Sequence, residues 1–189
     1  KEVLSAMGIK MMEQAGLEAD DILGTLAKRA EQEGMAVSLV SGDRDLLQVA
    51  TDTIKIRIPK TKGGKTEIED YYAADVEARY HVNPIQFIDL KALMGDTADN
   101  IPGVPKVGEK TATDLMCQFG SLDNIYSNVE IVSKKSIRES LINNEEIARL
   151  SKTLATINVD SPIAFSLDEA KVKDFFTEEA YVIFKRLEF

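Results

Sequence analysis

An α/β layer followed by an all-helical region is the architecture this sequence predicts, and three observations predict it. Ala19, Ile22, Leu23, Leu26, Ala27 and Ala30 recur at helical spacing across residues 18–33, with Gly34 placed to end the helix. Met35-Ala-Val-Ser-Leu-Val40 follows as a short apolar run with β-branched residues, which reads as a buried strand of a parallel sheet. From about residue 72 onward the strand-like patterns stop and only helical spacing remains.

The elements follow in order. Lys1–Met7 reads as a helix rather than a secretory leader, and Ile9–Glu13 as a further strand. A helix between two parallel strands makes a βαβ unit, hence the α/β layer. Ile54, Ile56 and Ile58 alternate with Lys55 and Arg57, the pattern of a strand with one exposed face. Gly63-Gly64 supplies a turn and Lys65–Ile68 the returning strand of a hairpin. Pro84 suits the first turn of a helix reaching about Met94. Another helix covers Glu109–Phe119, one or two cover residues 134–156, and a last one Glu178–Leu187. The composition shift divides the chain into an α/β part, residues 1–72, and a helical part, residues 73–189.

Composition narrows the class. With 44% hydrophobic and 29% charged residues, the 189-residue chain is ordinary for a globular protein. No apolar run approaches the ~18 residues a membrane span needs. The lone cysteine, Cys117, excludes an internal disulfide and a cysteine zinc cluster, which points to a cytoplasmic protein. The net charge of −9 argues, as a sum, against a nucleic-acid partner. Seven of the acids, however, fall in three tight clusters, and without them the balance is −2.

The first cluster is Glu18, Asp20 and Asp21, where the first long helix begins. On a regular helix Asp20 points well away from Glu18, so the three converge only at the helix mouth. Acids at a helix N-terminus also offset the macrodipole, and spacing alone leaves both readings open. The second cluster, Asp43 and Asp45, follows the strand Met35–Val40, at the end where open α/β sheets place their sites. Residues two apart share a face if the chain stays extended; an Asp-rich turn capping a helix is the alternative. The third, Asp96 and Asp99, shares one face if the segment forms a helical turn, and is otherwise a polar loop. Carboxylates without histidine or cysteine suit hard cations, Mg²⁺ or Mn²⁺. Two such ions, about 3.5–4 Å apart, can activate water and stabilise the leaving oxygen of a phosphodiester.

Ile101-Pro-Gly-Val-Pro-Lys-Val-Gly-Glu-Lys-Thr-Ala112 is the sharpest local signal. Gly103 and Gly108 flank the apolar Val104 and Val107, and a helix starts after Gly108. Glycines let backbone N–H groups approach a phosphate, and the helix start at Lys110 and Thr111 favours an anion. Lys106 and Lys110 add charge, which matches a helix-hairpin-helix element gripping the nucleic-acid backbone without reading bases. Lys60, Lys62 and Lys65 form a weaker basic patch at the Gly63-Gly64 turn.

Residues 16–27 (GLEADDILGTLA), 41–48 (SGDRDLLQ) and 93–112 (LMGDTADNIPGVPKVGEKTA) resemble, in order and spacing, successive motifs of the 5′-nuclease domain of bacterial DNA polymerase I. Phage 5′-nucleases and flap endonucleases share the plan, and the resemblance runs over essentially the whole chain. It implies a PIN-like, Rossmann-like sheet flanked by helices, followed by a SAM-like helix-three-turn-helix DNA clamp. It implies a first metal served by Glu18, Asp20 and Asp21, a second served by Asp43, Asp45, Asp96 and Asp99, and catalysis centred on Asp20, Asp21, Asp43 and Asp45. It also implies K⁺ bound through backbone oxygens of the Gly103–Lys110 hairpin. The implied activity is metal-dependent removal of 5′ ends and flaps from duplex DNA in primer processing and repair, by a monomer covalently followed by a polymerase. The family domain opens with an aspartate-bearing strand, a second aspartate and a basic helical arch, and none of these lies upstream of Lys1. The expectation is therefore a piece short of first-site ligands, with an open sheet edge. A non-catalytic duplex-binding module and a PIN-type ribonuclease are the competing readings.

Overall fold

The computed structural model describes residues 1–189, the side chain of Lys62 excepted. After a short helix α1 (Glu2–Ala6) comes α2 (Ala19–Gln32), which leads into β1 (Val37–Val40). A 3₁₀ turn over Asp45–Val49 separates β1 from β2 (Ile54–Lys62), and β3 (Lys65–Tyr71) completes a three-stranded sheet of order β1-β2-β3. β1 lies parallel to β2 with Val37 opposite Ile54, and β2 lies antiparallel to β3 with Lys62 opposite Lys65. Gly63 and Gly64 both take positive φ, 59° and 78°, the geometry of the tight hairpin turn their sequence predicts. At this turn Lys60 is paired with Glu69 at 3.1 Å, and the side chain of Lys62 lies outside the described residues.

The helical region comprises α3 (Ala73–Tyr80), α4 (Pro84–Met94), α5 (Glu109–Phe119), α6 (Leu122–Ser127), α7 (Lys135–Asn143), α8 (Glu145–Ala155) and α9 (Glu178–Arg186). Residues 134–156 thus form two helices. α4 is central. Asn83 and Gln86 close a capping box at its start, each side chain taking the other's backbone N–H at 2.9 Å. Phe87, Leu90, Ala92 and Leu93 are buried on it, packed with the alternating Ile54, Ile56 and Ile58 of β2 in one continuous core. The same core takes in Ala112, Leu115 and Met116 of α5, so the sheet and helical regions share one interior.

Two sequence expectations differ from the structure. Ile9–Glu13 forms no strand; residues 9–18 run as irregular chain. In Ile9-Lys10-Met11-Met12-Glu13 neither alternating set is uniformly apolar, so neither face could lie on a core. The expected βαβ unit around α2 is therefore absent, and the parallel pair is β1–β2, joined through the 3₁₀ turn. The strand read over Met35–Val40 begins at Val37 and is not buried throughout; Leu39 faces the core while Val40 is 62% exposed. β1 pairs on one edge only.

A segment after α8 runs back along α2. Thr25 Oγ1 donates to Asn158 O at 3.1 Å, and the Arg29 guanidinium donates to Ile163 O at 2.7 Å and Ser161 O at 3.0 Å. Gly24 makes this approach possible, since a Cβ there would stand 2.9 Å from Ile157 Cγ2.

The hairpin of residues 101–108 is fixed by packing. Val104 and Val107 are buried, Val104 N–H donates to Leu93 O at 2.7 Å, and Gly103 N–H donates to Ser151 Oγ of α8 at 3.1 Å. Gly103 has φ +63°, and a Cβ on it would stand 2.6 Å from the Met94 carbonyl carbon. Gly108, at the start of α5, has open space where a Cβ would go. Gly103→Ala is therefore expected to cost roughly 1–3 kcal/mol or more of unfolding free energy, while Gly108→Ala costs far less, a contrast that urea unfolding of the two variants measures.

Candidate metal centre and nucleic-acid interface

Six of the seven acids singled out in the sequence line one hollow of about 200 Å³: Glu18, Asp20, Asp21, Asp43, Asp45 and Asp99. Three elements bring them there. Glu18 is the N-cap of α2 and makes no side-chain capping bond, and Asp20 and Asp21 form its first turn. Asp21 Oδ1 accepts the Asn158 N–H at 2.9 Å, which ties this helix mouth to the segment Ala155–Ile157 on the opposite wall. Asp43 and Asp45 follow β1. Asp43 Oδ1 accepts the Asp45 N–H at 2.9 Å, so the pair forms a turn as well as converging, but the following 3₁₀ turn has Arg44 at its N-cap and no side-chain capping bond. Asp99 enters from the loop after α4. One carboxylate oxygen each of Asp43, Asp45 and Asp99 lie within 4.8 Å of one another.

Asp96 does not join them. The segment after α4 is no helical turn: Asp96 pairs with Ile101 in an isolated antiparallel bridge, and Asn100 takes φ 56° to close the loop. Asp96 therefore lies outside the hollow that Asp99 enters. Asp96 Oδ1 accepts the Ala98 N–H at 2.8 Å, and Oδ2 is paired with Lys91 Nζ.

Lys91 is the site residue that the sequence reading missed. Its side chain is 6% exposed, and Nζ stands 2.6 Å from Asp45 Oδ1 as well as against Asp96. Asp45 Oδ1 is buried with no well-oriented hydrogen-bond donor, so this ion pair is its compensation. A lysine set in the apolar run Leu90-Lys91-Ala92-Leu93-Met94 was the available signal. Arg44 was also missed. Its guanidinium donates to Tyr80 Oη at 2.6 Å and Glu69 Oε2 at 3.1 Å, which pins the Asp43–Asp45 turn from the side away from the hollow. Gln48, buried in the 3₁₀ turn, donates to Ala155 O at 2.8 Å and accepts the Ile157 N–H at 2.9 Å, holding the opposite wall.

The electrostatics are those of crowded carboxylates. Burial, then the charges of Asp43, Asp45, Glu18 and Asp99, push the Asp20 carboxyl up from 3.8 to about 6. Burial also raises Asp45, against the lowering effect of Lys91. Lys91 keeps its charge, its ammonium held above the ordinary lysine value by Asp45 and Asp96 against burial. Asp96 is held below the ordinary range by Lys91. An all-oxygen donor set that raises its own pKa values is one that a hard divalent cation fits.

The hairpin beside this hollow divides in two. The N–H groups of Gly103, Val104 and Val107 are spent inside the protein, on Ser151 Oγ, Leu93 O and Val104 O. Gly103 therefore serves close packing, and not the approach to a phosphate that its sequence context suggested. Lys106, Gly108 and Lys110 are exposed, and among the described residues neither lysine forms an ion pair.

Family comparison matches residues 1–178 as two contiguous parts. Residues 1–81 match "5′-3′ exonuclease, N-terminal resolvase-like domain", and residues 82–178 match "5′-3′ exonuclease, C-terminal SAM fold". The chain belongs to the 5′-3′ exonuclease family. It is 45% identical over 189 residues to DNA polymerase I of Bacillus subtilis (strain 168), covering 100% of this chain and 21% of that protein. With DNA polymerase I of Streptococcus pneumoniae R6 the identity is 48% over 169 residues, 89% of this chain and 19% of that protein. The chain thus spans about a fifth of the length of these relatives. Bacteriophage T5 5′-exonuclease with bound zinc ions superposes with TM-score 0.69 at 25% identity, over 92% of this chain and 61% of that one. A T5 flap endonuclease in a pseudo-enzyme–product complex with DNA and metal ions gives 0.68 at 25% identity, over 94% of this chain and 62% of that one. The fold is also that of the Rad2 catalytic core, TM-score 0.57 at 21% identity over 87% of this chain and 57% of that one.

The charge balance of the hollow yields two expectations. Folded Asp20 holds its proton to about pH 6 and the unfolded chain only to about 3.8, so its contribution to metal-free stability falls as pH rises between these values and stays lost above. Asp20→Asn is thus expected to melt higher than the parent in chelator at pH 7 but not at pH 4, and thermal scans at the two pH values read this directly. Lys91→Ala leaves two carboxylates uncompensated, and is expected to lose roughly 3–5 kcal/mol in metal-free urea unfolding, with partial recovery on adding Mg²⁺.

Proposed function

We propose that this chain supplies the hydrolytic centre and duplex clamp of a 5′-nuclease that cleaves DNA phosphodiesters at 5′ ends and flaps. The observation that carries the proposal is the convergence of Asp43, Asp45 and Asp99 in a hollow completed by Glu18, Asp20 and Asp21. We assign Mg²⁺ or Mn²⁺ to this hollow, two ions or more, with Asp20, Asp21, Asp43 and Asp45 as the catalytic carboxylates. Glu18 and Asp99 complete the donor set, and Asp96 acts through Lys91. Such ions lower the pKa of water and offset the charge that builds on a phosphodiester under attack.

The protein's own residues then have distinct tasks. Lys91, Arg44 and Gln48 hold the carboxylate-bearing loops in register, so that binding an ion costs little rearrangement. Exposed Lys106 and Lys110, with the free start of α5 at Gly108 and Thr111, face the phosphate backbone of a duplex. Buried Gly103, Val104 and Val107 give that turn its shape. K⁺ at backbone oxygens of the same hairpin fits this role. In this reading residues 1–72 carry the α/β nuclease part and residues 73–189 the helical part with the clamp. The protein works as a monomer in a longer chain that includes a polymerase, as its relatives' name suggests. Among the described residues, no helix is long and apolar enough to cross a membrane.

The test is release of a labelled 5′ end from a flapped duplex in Mg²⁺, by this chain and by a form carrying the additional aspartate strand and arch that the family resemblance implies. Asp43→Ala is expected to abolish cleavage and leave duplex affinity largely intact. Lys110→Ala is expected to weaken duplex binding and lower the slope of log affinity against log salt by about one contact. Cleavage that persists in Asp43→Ala, or in chelator, overturns the assignment; so does a preference for single-stranded RNA over flapped DNA.

A further inference from the structure

A second cavity, of about 590 Å³, opens directly behind the acidic hollow and shares Asp43 and Asp99 with it. Its volume lies within the ~300–1,000 Å³ of small-molecule sites. Its character is different from that of the hollow. Phe87 and Met94 of α4 give it an apolar floor, and Tyr80 at the end of α3 gives it an aromatic wall. Tyr80 is fixed in place: its ring meets Phe87 edge-on at 5.1 Å, and its hydroxyl takes the Arg44 guanidinium. Over the Tyr80 ring, at 5.3 Å, lies the guanidinium of Arg79.

Arg79 is the unspent cation of this wall. Lys91 is consumed by Asp45 and Asp96, and Arg44 by Glu69 and Tyr80. Arg79 is exposed and, among the described residues, forms no salt bridge. A guanidinium stacked on an aromatic ring and open on its other side is a platform for a second π-face or an anion.

We infer that this cavity is a nucleotide subsite: it takes the nucleoside joined to the phosphate held at Asp43 and Asp99, with its base or sugar against Tyr80, Phe87 and Met94 and under Arg79. The inference rests on the proposed metal-dependent phosphate site and specifies what lies beside it. The apolar floor suits the nucleoside body, and the shared acidic rim, with its cations bound, takes the phosphate. Stacking on an aromatic ring and a guanidinium is tolerant of base identity, so the subsite is expected to accept any of the four bases.

The experiment titrates inorganic phosphate, and separately thymidine 5′-monophosphate, into this chain in Ca²⁺. Binding is followed by NMR of ¹³C-methyl methionine, which reports on Met94. Phosphate alone is expected to bind in Ca²⁺ and not in chelator. The nucleotide is expected to bind about tenfold tighter than phosphate and to shift the Met94 methyl signal, which phosphate leaves in place. Arg79→Gln, a change at an exposed helix end, is expected to remove the gain and keep the phosphate affinity. Equal affinity for the two ligands overturns the subsite while leaving the metal hollow standing. Failure of both ligands to bind in Ca²⁺ overturns the hollow and the subsite together.

Discussion

The ammonium of Lys91 lies between Asp45, on the turn after β1, and Asp96, on the loop after α4, shut away from water. The lysine is the member that cannot be spared: without it Asp45 is left buried and uncompensated beside the half-buried Asp96, whereas loss of either carboxylate still leaves an ion pair. The set also fixes geometry. Asp45 carries Asp43 with it through a two-residue turn, and Asp96 carries Asp99 through the bridge to Ile101. Joining Asp45 to Asp96 therefore sets the distance between the two loops whose free carboxylates meet in the hollow. A lysine buried in α4 thus does for the metal centre what a core leucine does for packing, with the added property that its charge lowers the cost of crowding acids nearby.

The same loop after α4 connects the metal centre to the hairpin. Gly95 and Gly103 lie so close that a Cβ on Gly103 would collide with the Gly95 backbone nitrogen. Ser151 of α8 takes the Gly103 N–H, and Val104 and Val107 anchor the turn in the core. With these contacts made inward, the exposed Lys106, Gly108 and Lys110 are presented at a fixed distance from the acidic hollow. A duplex held at one end of this assembly would reach the carboxylates at the other. The fixed position of this hairpin comes from buried backbone contacts that no exposed side chain reveals.

How much of this was legible in the chain depends on the range of the interaction involved. The amphipathic pattern of α2, the isoleucine alternation of β2, the glycine turn before β3 and the proline start of α4 are each decided within a few residues, and each stands where its pattern placed it. Ile9–Glu13 forms no strand although β1 keeps an open edge, because neither of its alternating faces is apolar enough to lie on the core. The spacing of Asp96 and Asp99 leaves a helical turn and a polar loop both open, and the bridge from Asp96 to Ile101 settles on the loop. Gly103 looked like a phosphate-approach residue, being a glycine in a basic loop; the Met94 and Gly95 backbone behind it gives it another purpose.

The sequence by itself determined the family, through three motifs in order, and with it the acid-rich donor set and the basic hairpin. These are matters of residue identity and short spacing. The tertiary structure alone decided which carboxylates meet, that Lys91 is the cation which balances two of them, and that an aromatic cavity under Arg79 opens against the same wall. Lys91 lies 46 positions from Asp45, and Arg79 lies 36 from Asp43. Such separations carry no periodic signal, because what joins these groups is the packing of α3 and α4 against the strand end, and the burial of a charge whose cost appears only once the chain has closed around it.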